Sequence, residues 1–108
     1  MKKMKVRKSG GNVFADLGLP ESDRELLKAK LALQIYRLIR SRGMTQGETA
    51  KLLGTTQPQI SALMRLRPAS VSVGRMMEFL TILGQDIEVT VKPARRRAQG
   101  LMTVHVGS

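Results

Sequence analysis

Residues 45–67, TQGETAKLLGTTQPQISALMRLR, restrict the fold of this chain more than any other stretch. Two helix starts and one helix stop are written into it. Thr45 is placed to N-cap a helix, and Glu48, three residues on, completes a capping box. Gly54 is the stop, because a left-handed C-terminal residue is cheapest without a β-carbon. Thr56 starts the next helix, and Pro58 falls in its first turn, where a missing N–H removes no intrahelical bond. Ala50 and Leu53 are spaced to face Ile60 and Leu63, with Leu52 packing on the rim of the same face. The short Ala50 side chain lets two helices cross closely, and Gly54 supplies the positive φ that a tight turn needs.

That packing leaves Gln57, Ser61, Ala62 and Arg65 facing outward. A helix presented in this way can lie in the major groove of duplex DNA with its N-terminal residues against base edges. Glutamine suits that place, since one amide can donate and accept together against adenine. The plainer alternative is a helical hairpin whose glutamines are merely solvated. The caps, the small residue at the crossing and the polar outer face favour the DNA reading.

Charge points the same way. Lys and Arg total 19 against 8 Asp and Glu, a formal charge of +11 in 108 residues. Such a balance favours a polyanion through counterion release, although an anionic membrane or an acidic protein also answers to it. Phe14, Tyr36 and Phe79 are the whole aromatic complement. That argues against the stacking platforms of single-strand binders and leaves duplex DNA as the better partner.

Other chemistries are poorly served. There is no cysteine, and His105 is the single histidine, so thiolate sites and His clusters are excluded, and the one histidine a Ser-His-Asp triad would need lies near the terminus. No enzyme activity, cofactor or metal is expected. No apolar run approaches the ~20 residues that cross a bilayer, and the N-terminus lacks a signal peptide's apolar segment. A cytoplasmic protein with no membrane partner is the expectation.

The length suits one domain. Residues 1–11, MKKMKVRKSGG, read as a basic flexible tail, either solvated or an arm along phosphates or a minor groove. The apolar NVFADLGLP of residues 12–20 packs on the domain or binds a partner chain. Residues 22–42 read as the longest helix, with Ser22 and Glu25 as a capping box and Gly43 just past its end. Its apolar stripe is Leu27, Leu31, Ile35, Leu38 and Ile39. After Arg67 comes a loop, PASVS, whose polar groups can touch phosphate. Ser72 then caps a fourth helix, roughly 73–83, with Met76, Phe79, Leu80 and Leu83 inward. Arg75 falls in its first turn, where the helix dipole disfavours a cation, so it is either a solvated residue or a phosphate contact. The methionines are expected to fill core gaps. Residues 86–92, DIEVTVK, alternate as a strand with Ile87, Val89 and Val91 on one face. Its partner is sought in residues 101–106, in 12–17 or in a second copy of the chain. Residues 12–92 thus form the domain, and 93–108 a basic extension.

The run TQGETAKLLGTTQPQIS resembles the reading unit of the Xre/Cro family of phage repressors. The longer run from GNVFADLGLP through VTVKP is similar to HigA-like antitoxins of bacterial toxin–antitoxin operons, a likeness covering about three-quarters of the chain. The resemblance implies a mainly α, lambda-repressor-like helix-turn-helix bundle with a C-terminal β-strand. It places Gln57, Ser61 and Ala62 at base-facing positions, with Gln59 as a neighbour. Pro58 stands where many repressors carry a second polar reader. Gln46 is implied as a phosphate ligand at the start of the first motif helix, and Arg65, Arg67 and Ser70 fall near the DNA backbone. With Thr56 and Arg75, these make the expected phosphate-contacting set. The implied biology is a homodimeric repressor whose other partner is a small RelE/HigB-like ribonuclease toxin. The rivals are a stand-alone prophage-type regulator and a protein-interaction module that no longer reads DNA.

Overall fold

The computed structural model describes residues 2–5, 21–68, 70–95 and 100–107. In order these form strand β1 (Lys2–Lys5), helices α1 (Glu21–Arg42), α2 (Gln46–Leu53), α3 (Gln57–Met64) and α4 (Val73–Ile82), and strand β2 (Glu88–Val91). Helix α1 packs on α3 and α4, and α2 packs on α3 and α4. Segment 12–20 lies outside the described residues, as does most of the tail.

The core lies where the apolar stripes meet. Leu27, Leu31, Ile35 and Ile39 repeat every fourth residue on α1 and are buried, while Leu38 is only partly covered. Opposite them lie Met76, Phe79, Leu80 and Leu83, buried as the helical spacing predicts, together with Val73. Ala50 and Leu53 from α2, with Ile60 and Leu63 from α3, complete the cluster. Each fully buried large side chain contributes about 1.5–3 kcal/mol by leaving water, which is how two eight-residue helices hold without strong propensity of their own. Met76 fills the centre of this core, and Met44, Met64 and Met77 pack around its rim.

Four expectations need correction. The backbone at Ser22 is already helical, because α1 begins at Glu21, so Ser22 is not an N-cap, whose backbone must be non-helical. Leu52 stays 46% exposed and does not pack on the rim. Its place beside Leu53 is taken by Thr49, fully buried because its hydroxyl donates to the Thr45 carbonyl at 2.8 Å. The strand partner comes from none of the expected places. Instead β1, part of the basic tail, pairs antiparallel with β2, setting Lys2 opposite Val91 and Lys5 opposite Glu88. Residues 100–107 form no strand, although Val104 packs against the core. The pairing also trims the expected apolar face. Ile87 and Val89 are half-buried, but Val91 is 59% exposed.

All four helices end in the same hydrogen-bond pattern. The N–H two residues past the cap reaches back to the carbonyl five residues earlier, and the N–H just past the cap closes the shorter bond inside it. At α2 these are Thr55 to Ala50 at 2.9 Å and Gly54 to Lys51 at 3.4 Å. At α3 they are Arg67 to Ala62 at 2.8 Å and Leu66 to Leu63 at 3.0 Å. The motif needs one left-handed residue. Gly43, Gly54 and Gly84 provide it for α1, α2 and α4, whereas α3 uses Leu66 at φ 57°. Holding a residue with a β-carbon there costs about 1–2 kcal/mol.

Candidate nucleic-acid interface

Helix α2 starts as its sequence dictates. Thr45 is extended at φ −74° and ψ 163°, and its hydroxyl accepts from the Glu48 N–H at 3.0 Å. Glu48 returns the bond, its carboxylate accepting from the Thr45 N–H at 2.9 Å. The Thr45 N–H bond, and after it the Thr45 side chain, hold the Glu48 carboxyl below its ordinary pKa. Gln46, half-buried, is the first residue of α2, in a turn whose leading N–H groups have no carbonyl to reach within the helix.

The turn to α3 is short because both of its ends are capped. Gly54, at φ 67°, closes α2, and Thr56 opens α3 with its hydroxyl accepting from the Gln59 N–H at 3.3 Å. Pro58 lies in that first turn and costs no bond. The buried side of α3 is Ile60 and Leu63. Away from it lie Gln57, exposed at the very start, and Ser61 and Ala62, both half-buried. Gln59 is half-buried too, and its amide oxygen accepts from the Thr55 hydroxyl. That oxygen is therefore engaged within the protein, which leaves the amide nitrogen as the part of Gln59 that can face a ligand. Gln57 is the better candidate for two-point recognition of a base.

Around α3 the expected backbone contacts fall into two groups. Thr56 and Arg65 cap its two ends, Arg67 follows, and Ser70 lies in the turn leading to α4; all four are exposed. Gln46, the fifth, starts α2. Arg75 stands apart. Its guanidinium donates to the Gly54 carbonyl at 2.9 Å and reaches the Leu53 carbonyl at 3.5 Å. It also pairs with Glu78 at 2.5 Å and lies over the Phe79 ring, 4.8 Å from its centroid. The helix dipole disfavours a cation in the first turn of α4, and the C-terminal carbonyls of α2 compensate it, while the Arg75 side chain stays 37% exposed.

Sequence reasoning missed this clamp because its two ends are 21 residues apart. A second one joins the ends of α1 and α4, where Arg42 donates to the Leu83 carbonyl at 2.5 Å. Both follow one rule, a cation on the carbonyl end of a helix, but the rule does not say which helix.

Among the described residues no group of His, Asp or Glu is arranged to hold a metal ion. No helix among them is long and apolar enough to cross a membrane.

The model of a helix-turn-helix domain family matches residues 13–92. A solved structure named "Putative XRE Family Transcriptional Regulator" superposes on the chain with a TM-score of 0.73 at 30% identity, covering 82% of this chain and 100% of the other. No curated protein matches the chain.

Proposed function

Since this chain belongs to the helix-turn-helix domain family, we propose that it binds duplex DNA at specific sequences and represses transcription as a homodimer. The observation that carries this reading is the division of α3 into a buried side, Ile60 and Leu63, and an outer side led by exposed Gln57. Arg65 and Arg67 stand at its far end, and the chain carries +11 overall. Entry of the N-terminal turn of α3 into the major groove sets Gln57 against a base edge and Ser61 and Ala62 behind it. Ala62 then offers only an apolar contact, such as to a thymine methyl. Gln46, Thr56, Arg65, Arg67 and Ser70 fix the register on phosphates.

One helix reads too few base pairs for a regulator, so two copies on half-sites about 34 Å apart are required. Helix α4 has little to give such a joint, because Met76, Phe79 and Leu80 are spent on the domain's own core. The β1–β2 ribbon, with Val91 uncovered, is the better joint.

The test is replacement of Gln57 by alanine. It should cost about 1–3 kcal/mol on the preferred duplex and relax specificity at one base position. An equal loss on random duplex would reduce Gln57 to a backbone contact.

The finer role is that of an antitoxin, supported by the sequence likeness from GNVFADLGLP through VTVKP. Its test is a search beside the gene for a small basic open reading frame, and co-expression of this chain with any that is found. Rescue of growth and co-purification are expected. A neighbour that is harmless by itself and does not co-purify would leave a stand-alone regulator.

A further inference from the structure

We propose that Leu66 is itself a DNA-contacting residue, and that its side chain lies on the deoxyribose surface between phosphates held by Arg65 and Arg67. The inference rests on the DNA-binding reading of α3 and adds a contact to it. Three observations converge on this position. First, the backbone at Leu66 is left-handed at φ 57°, a conformation that α1, α2 and α4 each give to a glycine. Glycine would serve the same turn without strain, so local folding offers no reason for a leucine here.

Second, burial offers none either. Leu66 is 46% exposed and takes no part in the apolar cluster that holds Ile60 and Leu63. A leucine outside the core gains little from folding to offset the strained backbone, and strain of this kind concentrates at sites of binding.

Third, its neighbours say what the surface meets. Arg65 and Arg67 flank it, both exposed, at the exit of α3. The motif bond from the Arg67 N–H to the Ala62 carbonyl fixes the turn, so the three side chains leave a rigid platform. Two cations around one uncovered apolar group are complementary to the edge of a nucleic-acid backbone, where anionic phosphates alternate with the apolar faces of sugars. An apolar protein partner is the other conceivable occupant, and the flanking charges disfavour it.

The experiment compares the full chain with Leu66→Gly and Leu66→Asn, titrating each against the duplex immediately upstream of its own gene at several salt concentrations. Melting temperatures are measured alongside. Leu66→Gly should melt higher, by about 4–8 °C, and yet bind about tenfold more weakly. Its salt slope should equal the parent's, since an apolar contact releases no counterion. Leu66→Asn, which tolerates left-handed geometry with less freedom than glycine, should lose affinity similarly. Parental affinity in either variant overturns the proposal, since for Leu66→Asn it would trace the glycine loss to flexibility. A slope lower by about 0.9 also overturns it, because the change would then have cost a phosphate contact. If the parent chain itself fails to bind duplex, the reading of α3 falls and the proposal falls with it.

Discussion

The guanidinium of Arg75, on α4, donates at 2.9 Å to the carbonyl of Gly54, the residue on which α2 stops. That bond ties α4 to the turn between α2 and α3, and so to the point that sets the direction of α3. The arrangement compensates both partners. Carbonyls at the end of α2 gain a cation, and a cation at the unfavourable end of α4 gains those carbonyls together with Glu78.

Replacing Arg75 by methionine should therefore destabilise the fold by about 1.5–3 kcal/mol, the range for a hydrogen bond to a charged group. Its partial exposure favours the lower end. Denaturant unfolding checks the loss. The salt slope of DNA binding should stay that of the parent. A slope lower by about 0.9 would return Arg75 to the phosphate-contacting set.

Gly54 and Leu66 make a complementary pair of backbone tests. A β-carbon at Gly54 meets nothing within 4 Å, so space does not forbid alanine there. What remains is φ 67°. Gly54→Ala should cost about 1–2 kcal/mol from conformation alone, and Gly54→Asn less. Equal losses for the two, measured by thermal unfolding, would point to a steric cause and contradict this account.

The capping box predicts a pH dependence. Glu48 titrates below its ordinary value because its carboxylate accepts from Thr45. A group whose pKa is lower in the folded state contributes stability above the unfolded value, near 4.3 for glutamate. That contribution is lost as pH falls through the folded value. Melting curves of the parent and of Glu48→Gln should thus differ at neutral pH and draw together in acid. A gap that persists unchanged below the folded pKa would show that the carboxylate's charge is not what stabilises the start of α2.

The β1–β2 pairing gives a fourth prediction. Removing residues 1–5 should expose to hydrogen exchange the alternate amides of residues 88–91 that bond across to β1, since their ladder partners are gone. Protection in α1 and α4 should not change, because the core is built from Leu27, Ile35, Met76 and Phe79. Loss of protection throughout would make the ribbon part of the cooperative core.

What could be read from the sequence divides by range. Both motif helices were legible because Thr45, Glu48, Gly54 and Thr56 act on backbone groups a few residues away, and cap chemistry is stereotyped. The core of α1 and α4 was legible because an apolar stripe repeats with the helix. The partner of β2 was not. Strand pairing is non-local, and the alternation of Met4 and Val6 among basic residues is too short and too charged to announce a strand. The same limit hid the reach of Arg75 across to α2. Leu66 was hidden for another reason, since nothing in a leucine signals a left-handed backbone. Only the repeated hydrogen-bond pattern at the helix ends exposes it as the position where the other helices use glycine.

The central claim is that the outer face of α3 reads sequence. The most direct measurement is a titration of the full chain against the duplex upstream of its own gene, with a scrambled duplex of equal length as control, at about 0.15 M salt, near the physiological range. A preference of about a thousandfold or more for the native duplex is predicted. Equal and salt-sensitive binding to both would contradict the claim and reduce the +11 charge to a nonspecific attraction.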